Sequence, residues 1–308
     1  MRRAALLGAL AVLLMPACSA PDHRGAPVTT MGPQLAHVPD NEGMPDLIVD
    51  EHDLATSWVV YDEKFTTDMC DAQEGDVTPG EHRVLRLTVT TPNVGTADLY
   101  VGDPNTHIDP NGDGDFSDSD GLYEFATCHH HYHFRHYATY QLIALDANGN
   151  EVGTPIKSAK RGFCMIDVAP YNSDLAGAPK SWVYRSCGRV GVPGNQGISV
   201  GYGDQYYKWL QGQYFVLDGG DGQAVVPPGR YRIKITVNPG FVPKRREPCR
   251  YADPNHVGVC HQLPESNYEN NVAFVDITIP DRTGKTGYGP GGSDGIPNDV
   301  NKKTEEDL

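Results

Sequence analysis

Beyond residue 15 the chain has no apolar run approaching the length of a membrane-spanning helix. No segment carries a sustained apolar stripe at helical spacing, which argues against a helical bundle. There is no internal repeat, so repeat architectures are excluded as well. Basic side chains are scarce: 25 Lys and Arg stand against 40 Asp and Glu, a formal net charge of −15. Such a surface repels nucleic acid and attracts cations, with amines one candidate class; solubility in a salty exterior is the alternative, and charge alone does not separate the two.

What is present begins at the N-terminus. Arg2 and Arg3 lead an apolar run from Ala4 to Met15, then small residues and Cys18. That order is a secretory signal peptide. The ending "MPAC" has the form of a bacterial lipoprotein cleavage site, which would make Cys18 a lipidated N-terminus; the alternative is plain secretion with cleavage near Ala20. One lipid group holds a domain at a membrane surface without embedding it. The expected location is therefore extracellular or at the cell surface. Of seven cysteines, those after Cys18 form an even set, which suggests disulfides in an oxidising compartment. Residues 1–18 read as the signal with its lipobox. Residues 19–43, rich in Pro, Gly and polar residues, read as a flexible linker. Residues 281–308 have no apolar pattern and read as a disordered tail. Residues 44–280 are left as one folded domain.

Within that domain, short alternating runs recur between turn signals. "RVLRLTVT" (83–90), "ATYQLIAL" (138–145), "SWVYRS" (181–186), "YFVL" (214–217), "RYRIKITV" (230–237) and "VAFVDITI" (272–279) read as strands. "DANGN" and "VPPGR" are turn chemistry between them. The expected fold is all-β, a loop-rich β-sandwich with few short helices.

The stretch "CHHHYHF" (128–134) sets His129, His131 and His133 at alternate positions. In a strand these share one face, and His130 and Tyr132 share the other. Three neutral imidazoles on a face make a transition-metal site. A flat strand, however, rises about 3.3 Å per residue, so the outer Cα atoms would lie roughly 13 Å apart. Metal–nitrogen bonds are only about 2 Å, so the segment must bend. Composition does not choose the metal. Zinc would suggest a hydrolase built on metal-bound water; copper would suggest oxygen chemistry, or a non-catalytic copper-binding surface protein.

"CHHHYH" resembles the copper motif of the lysyl oxidase family, Cys-His-x-His-Tyr-His. Five more stretches follow the family's order: "EHRVLRLTVTTPNVGTADL" (81–99), "AKRGFC" (159–164), "QGISVGYGDQY" (196–206), "VPPGRYRIKITVNP" (226–239) and "PESNYENN" (264–271). The likeness covers roughly Asp46 to Ile279. It implies copper- and quinone-dependent oxidation of a primary amine, peptidyl lysine foremost, to an aldehyde. Dioxygen becomes hydrogen peroxide and ammonia leaves. The implied partners are thus a primary amine or a lysine-containing protein, and molecular oxygen. The implied cofactors are copper on His129, His131 and His133, and lysine tyrosylquinone made from Lys160 and Tyr206. Lys160 keeps the family's spacing before Phe163-Cys164 where Lys157 does not. Tyr206 keeps the Asp-x-Tyr spacing where Tyr202 and Tyr207 do not. An inactive precursor could keep the two side chains apart, because copper must reach Tyr206 first, and a loop from about Pro170 to Asn195 would then have to move. The family's histidine after the copper motif is replaced by Thr139, which leaves Asp204, or else His136, as the general base.

The resemblance also implies a structural calcium site at Asp46, Leu47, Glu265, Asn267, Asn270 and Asn271. Asn267 stands where the family has a carboxylate, which lowers the charge of the site. Separately, "DPNGDGDFSDSD" (109–120) sets Asp109, Asn111, Asp113, Gly114 and Asp120 in the register of a calcium-binding loop, with a solvated acidic loop as the equal alternative. A family pair implies Cys128 with Cys187. Cys249 with Cys260 closes a local insertion, and Cys70 and Cys164 are left together.

Overall fold

Alternation of apolar and polar side chains builds the largest sheet. In "RYRIKITV", Tyr231, Ile233, Ile235 and Val237 are buried, while the basic residues between them face outward. The computed structural model describes residues 43–74, 76–220, 222–245, 247–281 and 287–292. The signal segment with Cys18, the linker up to residue 42 and most of the tail lie outside the described residues.

In chain order the elements are α1 (Glu51–Thr56), β1 (Val59–Phe65), α2 (Cys70–Gln73), β2 (Gly80–Arg86), β3 (Val89–Pro92), β4 (Leu99–Gly102) and α3 (Asn105–Ile108). Then come β5 (Tyr123–Ala126), β6 (His131–Phe134), β7 (Ala138–Leu145), β8 (Glu151–Lys157), β9 (Ala169–Pro170) and β10 (Gln196–Ile198). Last are β11 (Tyr202–Tyr206), β12 (Tyr214–Val216), β13 (Gly229–Val237), β14 (Tyr251–Ala252), β15 (Cys260–His261) and β16 (Val272–Ile279). The four-stranded antiparallel sheet runs β16-β13-β7-β8. Two three-stranded sheets, β1-β2-β12 and β3-β11-β9, pack with it, and β5-β6 is a separate hairpin. One large apolar cluster joins them, running from Leu47 through Phe134, Phe163 and Tyr206 to Ile279. The molecule is loop-rich and all-β, as expected, with several small sheets and few short helices.

Three expectations need correction. "SWVYRS" forms no strand. Its backbone donors go to a side chain instead of a ladder: Val183 and Tyr184 N–H donate to the buried Asp167 carboxylate at 2.8 and 3.2 Å. "RVLRLTVT" is broken after Arg86 into β2 and β3, which join different sheets. Within the segment expected to be a disordered tail, residues 287–292 dock on the domain. Tyr288 exchanges two 2.8 Å backbone bonds with Val60, and the Lys208 ammonium donates to the carbonyls of Gly291 and Gly292.

The disulfides are Cys70–Cys128, Cys164–Cys187 and Cys249–Cys260, with Cα separations of 5.6, 5.3 and 5.4 Å. The last is as expected; Cys128–Cys187 and Cys70–Cys164 are not formed. The reason lies in packing. The end of α2 sits against the turn carrying Cys128, where Glu74 accepts the Cys128 N–H at 3.3 Å. Cys164 and Cys187 share a small buried cluster with Ile166.

Candidate active site

The histidines sit at the end of the β5–β6 hairpin. His130 N–H closes the turn onto the Ala126 carbonyl at 2.8 Å. His130 itself has φ of +62°, a left-handed conformation uncommon outside glycine. This is the bend that the motif demands. His131 and His133 alternate on β6 and share a face, and His129 comes in from the turn. The three rings lie with centroids 5.4, 4.9 and 4.9 Å apart. His130 is exposed.

The Nε2 atoms of His131 and His133 are 3.0 Å apart. Two imidazole lone pairs face each other at that distance only with a proton or a cation between them. His129 Nδ1 is buried without a hydrogen-bond partner. Converging imidazole donors with an orphaned nitrogen fit a late transition-metal ion. Among the described residues one other group brings three such ligand atoms together, Asp253, His256 and Glu269. There His256 Nδ1 lies 3.1 and 3.5 Å from the two carboxylates, on the surface, so the groups satisfy one another.

Beside β6 runs the "AKRGFC" segment. Phe134 and Phe163 exchange backbone bonds of 2.6 and 3.1 Å, which lays Gly162 against the His133 ring. Two residues earlier, the Lys160 ammonium lies 4.2 Å from the centroid of the Tyr206 ring. Tyr206 is fully buried on β11. Its hydroxyl donates to the Cys164 carbonyl at 2.9 Å, and Phe163 packs edge-on at 5.3 Å. A separation of Lys160 from Tyr206 is not seen: the Lys160 side chain already covers the ring. A cavity of about 590 Å³ is lined by His129, His133, Lys160, Glu74, Asp76 and Glu124, among others. A second, of about 490 Å³, holds Thr139 and Tyr140 and has Lys160 in its wall too.

Asp204 is buried two residues before Tyr206 on β11, opposite Thr91 on β3. Burial pushes the nearby Tyr137 phenol well above its usual value, and the Asp204 carboxylate adds to that. His136 is on the surface; partial burial of its ring and the neighbouring Arg135 lower its pKa. Neither residue is among those lining the two cavities. Sequence reasoning missed the carboxylates that do line the first: Glu74, Asp76 and Glu124. Glu74 and Asp76 follow α2, with no motif to mark them.

The expected calcium residues converge in part. Glu265 accepts from Leu47 N–H at 2.6 Å, from Asn238 at 2.6 Å and from Asn271 at 2.8 Å. Asn270 donates to Asp46 at 2.9 Å. Leu47 thus contributes its N–H to Glu265. The side-chain oxygens of Asn270 and Asn271 are buried and accept no hydrogen bond. Such oxygens beside two carboxylates suit a hard cation. Asn267 turns away and accepts from Glu269 N–H at 3.0 Å. In the 109–120 loop, Asp109, Asn111 and Asp113 accept from their own loop's N–H groups. Asp120, the expected last ligand, instead pairs with His107 at 2.7 Å and Arg250 at 3.0 Å.

No curated protein matches the chain. The lysyl oxidase family model matches residues 45–247, which include the hairpin, the Lys160 segment and β11. A match over well more than half of the sequence, on a chain whose histidines converge, means that it belongs to the lysyl oxidase family of copper-dependent amine oxidases.

Proposed function

We propose that this chain makes lysine tyrosylquinone from its own Lys160 and Tyr206. With copper held by His129, His131 and His133, it would then deaminate primary amines, including protein lysines, outside the cytoplasm. The observation that carries this reading is the Lys160 amine lying over the Tyr206 ring, with Lys160 lining the same cavity as His129 and His133. Copper and dioxygen, when bound, supply the oxidising equivalents that turn the Tyr206 phenol into a quinone, and the quinone accepts electrons from the substrate's carbon–hydrogen bond.

The chain's own residues do the rest. Lys160, 8% exposed, holds its amine over the ring it is to join, so the bimolecular step becomes a local one. The bond from Tyr206 to the Cys164 carbonyl fixes the phenol edge, and burial keeps water from the ring. In the lining of the larger cavity Glu74, Asp76 and Glu124 outnumber Lys160 and Arg161, which favours the approach of an ammonium substrate. For the acceptor of the substrate's α-proton the reading takes Asp204, on the same strand face as Tyr206. A calcium ion on Asp46, Glu265, Asn270 and Asn271 would serve structure alone. The three disulfides support an oxidising compartment.

The test is the copper-loaded protein in air. A quinone absorbance should develop, phenylhydrazine should block it, and a peptide mass should join Lys160 to Tyr206. Lys160→Ala should abolish the cross-link, and Tyr206→Phe the quinone itself. Primary amines should release peroxide only after maturation. Full activity in Lys160→Ala would overturn the assignment.

A further inference from the structure

The three histidines meet different surroundings, and those of His129 are the most specific. His129 Nε2 is in contact with the side-chain oxygen of Gln211. That oxygen can only accept, so Nε2 carries the ring's proton. The orientation of the Gln211 amide is itself fixed, because its nitrogen donates to a Glu74 carboxylate oxygen at 3.1 Å. The other Glu74 oxygen accepts the Cys128 N–H at 3.3 Å, and Cys128 is bridged to Cys70 at the start of α2. Gln211 is buried, while Glu74 is exposed in the lining of the cavity that it shares with His129. With the proton on Nε2, the ring's lone pair is on Nδ1, the nitrogen that is buried and has no partner. The Nε2 atoms of His131 and His133, by contrast, face each other.

We propose that Glu74 and Gln211 are positioning residues that lock His129 as an Nδ1 donor, giving a site with one Nδ1 and two Nε2 ligands. The inference rests on the reading that these three histidines hold the metal. The neighbours of a ligating imidazole set its tautomer and angle, and their loss costs about 10- to 100-fold in metal affinity. Glu74 and Gln211 come from two separate segments, α2's C-terminus and the loop between β11 and β12. The arrangement is therefore made by the tertiary fold and is not visible in the histidine motif.

The experiment uses the full chain labelled with nitrogen-15 in histidine and loaded with zinc, a diamagnetic probe of the same donors. Long-range proton–nitrogen correlation shows which ring nitrogen holds metal and which holds hydrogen. Three metal-shifted rings are expected, one with its proton on Nε2 and two with it on Nδ1. Gln211→Leu should weaken copper and zinc binding by about 10- to 100-fold and abolish the Nε2–H pattern. The double variant Glu74→Gln with Gln211→Glu exchanges the amide and the carboxylate and keeps every donor facing an acceptor. It should restore the pattern and return affinity to within about threefold of the parent, against that 10- to 100-fold loss. Three metal-shifted rings all bound through Nε2, or a double variant as weak as Gln211→Leu, would overturn the proposal while leaving the metal site standing. No metal-shifted ring at all would overturn both.

Discussion

The Cα of Gly162 lies so close to His133 that an added methyl carbon would stand 2.6 Å from the His133 Cβ. Something must shift to admit it, at a cost of about 1–3 kcal/mol. The ring that moves is a candidate ligand. Gly162→Ala should therefore cut copper affinity at least ~10-fold while the protein still folds; equilibrium dialysis against a copper chelator, beside a melting curve, checks this. At this scale much of the site was legible. His129, His131, His133, Lys160 and Tyr206 sit in stretches whose order and spacing mark them, and the structure brings Lys160 onto Tyr206 beside the histidines. What was not legible depends on contacts between distant segments. The partner of Cys128 is decided by where α2 packs, and Gln211 has no spacing that points to His129.

At the scale of elements, the β5–β6 hairpin decides whether three imidazoles can meet. Its turn puts His130 at φ of +62°, which costs a residue with a Cβ about 1–2 kcal/mol. His130→Gly should stabilise the protein by up to ~1 kcal/mol and keep full copper loading. His130→Val should destabilise it by ~1–2 kcal/mol and weaken copper, because a β-branched residue resists that conformation. Urea melts and copper titrations of the pair distinguish the outcomes, and equal copper loss in both would make the histidine itself, not the turn, responsible. Strands with clean alternation, such as β13 and β16, were readable from sequence because one face is buried. "SWVYRS" was not, since the Asp167 carboxylate that satisfies its backbone is remote in sequence.

At the scale of the whole molecule, Glu265 near one end of the domain takes the Leu47 N–H at the other. Burial pushes its carboxyl up to about 8, from an ordinary 4.5. A carboxyl raised in the folded state takes up a proton on folding, so stability should fall as pH rises from about 4.5 through about 8. The loss is on the order of 1–4 kcal/mol without divalent cations. Calcium bound beside the carboxylate should flatten that slope and raise the melting temperature. Melting curves from pH 5 to 8, with calcium and with chelator, check both; identical curves would remove the calcium site. The Cys70–Cys128 bridge reaches further, into time. It pins the turn bearing His129 to the helix that leads to Glu74, so the candidate ligand is held in place by a bond that needs an oxidising compartment. On the proposed function thiol oxidation would come before metal capture, and metal capture before cofactor synthesis. A chain refolded with its thiols reduced should take up copper weakly, then recover on oxidation. On the proposed function the bridge would act as a clock, holding the metal site back until the chain's thiols are oxidised.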